Sequence, residues 1–393
     1  MALTVPAPRE QGLMPPPAEE VLAYAAAQTV KAAQALWPHS TVQAGQATPS
    51  VTSYVQCVQV DGRPLYGKLP ILGASLVSVL RGARGDWPTV KAAQAAYAQA
   101  PDSLVRREAQ QLKTLAAAGV LVPRVAGCGG GVLFTEPVAG RSLGDLVARD
   151  PHSTSVLLGR VMDQLGRGLK RPGFAARVDR VAIPERSIAE TFGRKFTSGC
   201  GPYLRSTGHG ELLGTVVDRL RAMPLRAVPY PPVIYGDLKP EHAVFSSGHV
   251  DGPIVFLDPG LQRGWPGADV AKLVSRTVLG LVAGAPSRED SRAVLSGITA
   301  FTARLTADLE TDERDAWLRR FVLLWLMDTV NILTTYLSAP PGLPLPALAA
   351  AVVERAEAVV QMLDHATVSM ASRASTHAWW RVCLDDAVWG VVA

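Results

Sequence analysis

Two short apolar runs that end in acids constrain this chain most: Val233-Ile-Tyr-Gly-Asp-Leu-Lys-Pro-Glu-His242 and, further on, Val255-Phe-Leu-Asp-Pro-Gly260. The β-branched and aromatic residues ahead of Asp237 and Asp258 predict two short strands, each delivering a carboxylate onto the loop at its end. Two carboxylates on neighbouring loops suit phosphoryl transfer. One orients and deprotonates an attacking hydroxyl, and the other holds a divalent metal against nucleotide phosphates.

Gly236-Asp237 with a polar residue five positions beyond the acid, followed by Asp258-Pro-Gly260, resembles the aminoglycoside phosphotransferase family. Its members are relatives of protein kinases that phosphorylate small-molecule hydroxyls. The resemblance continues upstream in the right order. Leu65-Tyr-Gly-Lys68 is similar to the strand lysine that grips the α and β phosphates, and Arg107-Glu108-Ala-x-x-Leu112 to the helix glutamate that pairs with it. Val132-Leu-Phe-Thr-Glu-Pro-Val-Ala-Gly140 is similar to the hinge strand and its glycine.

The resemblance implies an α+β, two-lobed, protein-kinase-like fold: a small antiparallel sheet ending near Glu136, a hinge over Pro137 to Gly140, and a large helical lobe. It also implies ATP and Mg2+ as cofactors. Asp237 takes the role of general base, Lys239 that of a cation for the γ-phosphate, and Asp258 that of a metal ligand. Backbone groups of Glu136 and Val138 are implied to meet adenine, and Lys68 and Glu108 to form the phosphate-gripping pair. The loop Ala44 to Ser53 stands where nucleotide is covered but lacks the Gly-x-Gly-x-x-Gly of protein kinases, so Ser50, Thr52 and Ser53 are the candidate phosphate contacts there.

Two positions depart from the family pattern. Tyr235 stands where histidine is usual, and His242 stands where a metal-binding asparagine is usual. A neutral imidazole is a softer ligand than an amide oxygen, so His242 favours Mn2+ or a water-mediated contact over direct Mg2+ binding. Asp-Leu-Lys-Pro-Glu around Lys239 is closer to the catalytic loop of serine/threonine protein kinases than to the usual small-molecule form.

With 393 residues, 48% of them hydrophobic and 19% charged, the chain suits a two-lobed globular enzyme. The net charge of +5 comes from scattered arginines rather than one block, which argues against a nucleic-acid partner. Cys57, Cys128, Cys200 and Cys383 stand far apart without a Cys-x-x-Cys pair, so neither zinc nor a disulfide framework is expected. Phe321 to Met327 reaches a charge at Asp328, short of a bilayer span, so no membrane partner is expected and the cytoplasm is the expected location.

Residues 1–17 read as a disordered proline-rich tail, 18–137 as the first lobe and 138–393 as the helical lobe holding the catalytic loop and the acceptor site. A helix is expected over Ala18 to Trp37, then strands over Val51 to Val60 and Leu65 to Leu69 around an Asp61-Gly62 turn. Residues 71–104 exceed what joins a lysine strand to the next helix and read as an insertion. It forms a pair of helices that thickens the lobe, or a docking element for a partner lyase or a second copy. Later helices are expected at Val156–Leu169, Leu212–Met223, Val270–Val282, Ser291–Leu305, Arg314–Leu337 and Leu348–Leu363, with an aromatic last helix from Thr376 to Trp389.

Three functions fit this sequence. The first is phosphorylation of a hydroxyl on a natural product or its precursor, in secondary metabolism or antibiotic resistance. The second is phosphorylation of serine or threonine in a ribosomal peptide precursor, as in class V lanthipeptide and thioamitide pathways, where it prepares elimination with a partner lyase. The third is a non-catalytic, nucleotide- or partner-binding pseudokinase. A cationic acceptor would need acids, and the candidates are Asp308, Glu310, Asp312, Glu313, Asp315, Asp385 and Asp386.

Overall fold

The computed structural model describes residues 14–197, 201–204, 207–371 and 376–392. Most of the expected tail, residues 1–13, lies outside the described residues, as does Cys200. The chain divides into two compact units. Unit 1 runs to Ala109 and adds Arg124–Pro137 and Ala339–Pro346; unit 2 holds Gln110–Pro123, Val138–Ser338 and the chain from Ala347 on. Residues 110–123, expected in the first lobe, thus group with the second, because Leu115, Ala118 and Val120 are buried in its core. Residues 339–346 make the opposite exchange, with Gly342 against Ala18.

Unit 1 opens with α1 (Ala18–Leu36) and continues through β1 (Val42–Thr48), β2 (Tyr54–Val60) and β3 (Arg63–Leu69). After α2 (Leu76–Leu80), α3 (Trp87–Gln99) and the start of α4 (Leu104–Ala117), the chain returns as β4 (Val125–Gly129) and β5 (Val132–Thr135). The antiparallel sheet has the order β1-β2-β3-β5-β4. β2 alternates in and out, burying Tyr54, Gln56, Val58 and Val60, while Asp61 and Gly62 take the positive φ values (51° and 76°) that the tight β2–β3 turn requires. α1 crosses so close to β3 that a Cβ at Gly67 would stand 2.6 Å from the Thr29 methyl group and 2.9 Å from the Phe134 ring.

Strand β1 corrects the sequence reading, which took Ala44 onward as loop. Six of its seven residues are exposed, so no apolar alternation marks it; backbone pairing with β2 makes the strand. The 71–104 segment forms two helices capped by Ser75 and Asp86, and it buries Ile71, Leu76, Val77, Val79, Leu80, Trp87 and Val90. At roughly 1.5–3 kcal/mol for each large apolar side chain, that burial holds the segment against unit 1.

In unit 2, β6 (Arg141–Ser142) leads to α5 (Leu143–Arg149), α6 (Thr154–Leu169), α7 (Phe174–Asp179), α8 (Ile188–Phe196), α9 (Gly201–Leu204) and α10 (Gly210–Ala222). Four short strands follow: β7 (Val233–Ile234), β8 (Ala243–Phe245), β9 (Ile254–Phe256) and β10 (Gln262–Arg263). They pair as β6-β8-β9 and β7-β10. The unit closes with α11 (Gly267–Gly284), α12 (Arg288–Leu305), α13 (Thr311–Leu337), α14 (Ala347–Glu354), α15 (Ala356–Ala371) and α16 (Thr376–Val392). The single helix expected over Leu348–Leu363 is interrupted at Arg355. α11, and α13 from Phe321 to Thr334, are buried on nearly every face, and Trp317, Phe321, Trp325 and Trp380 form an aromatic chain that docks α16. Among the described residues, no helix is long and apolar enough to cross a membrane, and Cys57, Cys128 and Cys383 are not joined in disulfides.

Candidate active site

Each unit carries one cluster of the expected residues. In unit 1, β3 turns Lys68 inward, where its Nζ donates to both carboxylate oxygens of Glu108 on α4, at 2.9 and 3.1 Å. Both residues are buried. Such a pair costs desolvation energy that simple apolar packing would avoid, and here each charge compensates the other at hydrogen-bond distance.

Ser50, Thr52 and Ser53 lie in the turn joining β1 to β2. The Ser50 hydroxyl accepts the N–H groups of Thr52 (3.3 Å) and Ser53 (3.4 Å). On the other side of the chain, the carbonyls of Val51 and Thr52 accept from Val77 and Leu76, the first residues of α2. The inserted helix therefore tethers this turn, and Ser53 is buried beneath it. Glu136 follows β5; its N–H donates to the Arg124 carbonyl at 3.0 Å and its carboxylate pairs with Arg63 and Arg124. Val138 lies in the connection to β6, partly buried. Gly140 ends that connection at a φ of 139°, where any Cβ would overlap the Phe245 carbonyl.

In unit 2, β7 leads into Tyr235 and Gly236. Gly236 has a φ of 81°, and a Cβ there would collide with the Gly260 carbonyl oxygen. Two backbone N–H groups, of Tyr235 and Gly236, donate to the two oxygens of Asp269 on α11, each at 2.7 Å. Burial pushes the Asp269 carboxyl up to about 6, against the pull of those N–H groups and Lys272. Tyr235 is fully buried and its hydroxyl donates to the Leu257 carbonyl at 2.6 Å, a packing and bonding role.

The Asp237 carboxylate has a lysine on each oxygen: Lys272 Nζ is 2.9 Å from Oδ1 and Lys239 Nζ is 3.2 Å from Oδ2. Burial alone would raise this carboxyl, but Lys239, Lys272 and Arg186 outweigh it and hold the group well below the ordinary 3.8. His242 sits in the short 3-10 turn that follows, with Nδ1 2.8 Å from the Asp237 carbonyl oxygen. A carbonyl only accepts, so Nδ1 carries the proton. Burial, then the Lys239 charge, lowers the imidazole's affinity for a second proton, which leaves a lone pair on Nε2.

That Nε2 stands 3.9 Å from Asp258 Oδ2. An imidazole lone pair beside a carboxylate could serve as part of a donor set for a divalent cation, and Asp258 and His242 are the residues that would hold one. Among the described residues, no third acid, cysteine or histidine joins to make a metal cluster. Asp258 has a φ of 52°, uncommon for a residue with a side chain, and its loop is held firmly. Arg186 Nη1 donates to the carbonyls of Asp258 (3.3 Å) and Pro259 (2.6 Å), and Gln111 exchanges bonds with both backbone groups of Leu261.

Sequence reasoning missed Asp269, Lys272, Arg186 and Gln111. The first two had a signal: an acid and a lysine three positions apart at the start of an otherwise apolar helix, where charges are retained only with partners. The acids proposed for a cationic acceptor do not gather. Asp308, Glu310, Asp312, Glu313 and Asp315 are exposed at or just before the start of α13. At about 1.5 Å per residue, Asp312 lies roughly 24 Å along the helix from Asp328, whose partner Arg276 is one turn beyond Lys272. Asp385 lines a groove of ≈ 610 Å³ with Arg288 and Arg292, and the Asp386 side chain is outside the described residues.

No family model matches the chain, and no curated protein matches it. The solved structures it resembles are aminoglycoside phosphotransferases and related small-molecule kinases. The GDP and kanamycin complex of APH(2")-IIia is 13% identical with a TM-score of 0.49, over 87% of this chain and 97% of that one. APH(3'')-Id from Streptomyces rimosus is 21% identical with a TM-score of 0.42, over 72% and 92%. An ethanolamine kinase from Plasmodium vivax is 10% identical with a TM-score of 0.44, over 80% and 81%. The fold itself is α+β, with an antiparallel-sheet unit and a largely helical one.

Proposed function

We propose that this chain is an ATP-dependent phosphotransferase that moves the γ-phosphoryl group to a hydroxyl of a natural product or its precursor. The observation that carries this reading is Asp237, a carboxylate with an ammonium group on each oxygen, next to the Asp258–His242 donor pair. The buried Lys68–Glu108 pair supports it. In the proposed reaction the acceptor hydroxyl gives its proton to Asp237 as its oxygen bonds the γ-phosphorus. The bond from that phosphorus to the β,γ-bridging oxygen breaks, and its electron pair leaves with ADP.

Lys68 holds the α and β phosphates, Asp258 and His242 hold the metal, and Lys239 offsets the charge that develops on the transferred group. Magnesium, when bound, neutralises phosphate charge and keeps the β and γ groups in line. Lys239, Lys272 and Arg186 make the surroundings of Asp237 electropositive, which favours a neutral or anionic hydroxyl compound over a polycationic one.

A second reading, a serine/threonine kinase of a ribosomal peptide precursor acting with a partner lyase, is favoured by the Asp-Leu-Lys-Pro-Glu loop, whose Lys239 lies 3.2 Å from Asp237, within reach of a group transferred there. Transfer of labelled γ-phosphate to a panel of neutral, anionic and cationic natural products and to candidate peptides tests both, with Asp237→Asn as the control. Transfer lost in the variant supports the enzyme and names its acceptor. A wild-type protein that binds ATP and phosphorylates nothing would instead be a nucleotide-binding pseudokinase.

A further inference from the structure

We propose that Lys272 is the positioning residue of the transfer step: it fixes Oδ1 of Asp237 so that Oδ2 is the oxygen presented to the acceptor hydroxyl. This rests on the phosphotransferase reading above. Lys272 is 5% exposed on α11, and its ammonium group has acceptors for all three of its hydrogens: the Arg186 carbonyl at 2.9 Å, the Gly236 carbonyl at 3.2 Å and Asp237 Oδ1 at 2.9 Å. It has no hydrogen left for a phosphate. Its work is confined to the three segments it joins.

Helix α11 grips the catalytic loop from both polarities. Asp269, one turn before Lys272, takes the N–H groups of Tyr235 and Gly236, and Lys272 takes the carbonyl of Gly236 and the side chain of Asp237. The torsion that turns a carboxylate is broad and nearly two-fold, so nothing intrinsic to Asp237 decides which oxygen faces a substrate. A buried ammonium bonded to one oxygen decides it.

Lys239 differs from Lys272 in being more exposed, with 17% of its side chain accessible, and it meets the opposite oxygen, Oδ2. During transfer Lys239 turns to the moving phosphoryl group and vacates Oδ2, while Lys272 stays. The acceptor hydroxyl then donates to Oδ2 and passes its proton there as its oxygen bonds phosphorus and ADP departs with the electron pair of the broken bond.

Lys272→Met keeps the length of the side chain and removes its charge. The expected result is a fall in kcat of about 100-fold with KM for ATP nearly unchanged, and a crystal structure with a non-hydrolysable ATP analogue in which the Asp237 carboxylate has rotated. In Lys272→Ala, propylammonium restores turnover and 1-propanol, of similar size, does not. Lys272→Gln, which keeps a donor without the charge, carries the same measurements if the methionine variant folds poorly.

An unmoved Asp237 in the variant structure, an unchanged kcat, or equal rescue by the alcohol would overturn the proposal. The crystallographic result needs no turnover. A wild type that phosphorylates nothing while Asp237 rotates in the variant defeats the functional reading alone, and full activity in Lys272→Met defeats the positioning role alone.

Discussion

The Thr52 carbonyl accepts the N–H of Leu76 at 3.2 Å, so the turn between β1 and β2 and the start of α2 hold one another. A glycine-rich loop would reach phosphate by being pliant; this one is braced by the segment inserted after β3. Ser75 caps α2 through the Ser78 amide, and Ser75→Ala removes about 1 kcal/mol of that support. The expected outcome is a KM for ATP raised roughly five-fold, the equivalent of that energy, with kcat preserved, read from steady-state kinetics with ATP varied.

Removing one partner of the Lys68–Glu108 pair leaves a buried charge uncompensated. Lys68→Met is expected to abolish transfer and to cost about 3–5 kcal/mol of stability in urea unfolding. Replacing both residues with apolar ones should recover much of that stability and none of the activity. Activity retained in the double variant would remove Lys68 from the phosphate site.

Asp269 gives a pH dependence with a definite sign. Its folded-state value of about 6 lies above the ordinary 3.8, so the folded protein holds this proton more tightly than the unfolded chain does. The contribution to stability is full below about pH 4 and is lost as pH rises through 6, a change of order 3 kcal/mol. Asp269→Asn does not titrate. The advantage of wild type over this variant should therefore be largest near pH 4 and shrink by pH 7. A widening gap would mean that the two backbone N–H groups and Lys272 prevail over burial.

On the proposed reading, His242 bears on which metal the site takes. Chelation of divalent ions should end transfer in wild type and variants alike. His242→Asn exchanges an imidazole nitrogen for an amide oxygen, and the ratio of activity with Mg2+ to that with Mn2+ should rise severalfold. An unchanged ratio would remove His242 from the metal shell and leave it as a support for the Asp237 backbone.

Much of this was legible in the sequence where pattern and chemistry coincided. Lys68 sits in a strand that follows the Asp61-Gly62 turn, and Asp237 and Asp258 each end an apolar run, so their elements could be read directly. β1 could not be, because an exposed edge strand of Gln, Ala, Gly and Thr carries no burial signal. The interruption at Arg355 was equally silent: no glycine or proline marks it, and amide bonds from Arg355 to Ala351 and from Val359 to Arg355 bridge it at 3.3 Å. Asp269 lies one residue ahead of the helix expected over Val270–Val282 and Lys272 inside it, and an apolar pattern alone gives no sign that either side chain turns to the loop around Asp237.

Arg186 ties α11 to the loop that carries Asp258. Its carbonyl receives Lys272 while its guanidinium holds the backbone of Asp258 and Pro259, and it does so from the turn that leads into α8. The helices after that turn are therefore free to diversify only around a fixed point. A shift of Arg186 would disturb the Lys272 support of Asp237 and the backbone of Asp258 together, so on the proposed reading the turn ahead of α8 tolerates less change than the exposed face of that helix.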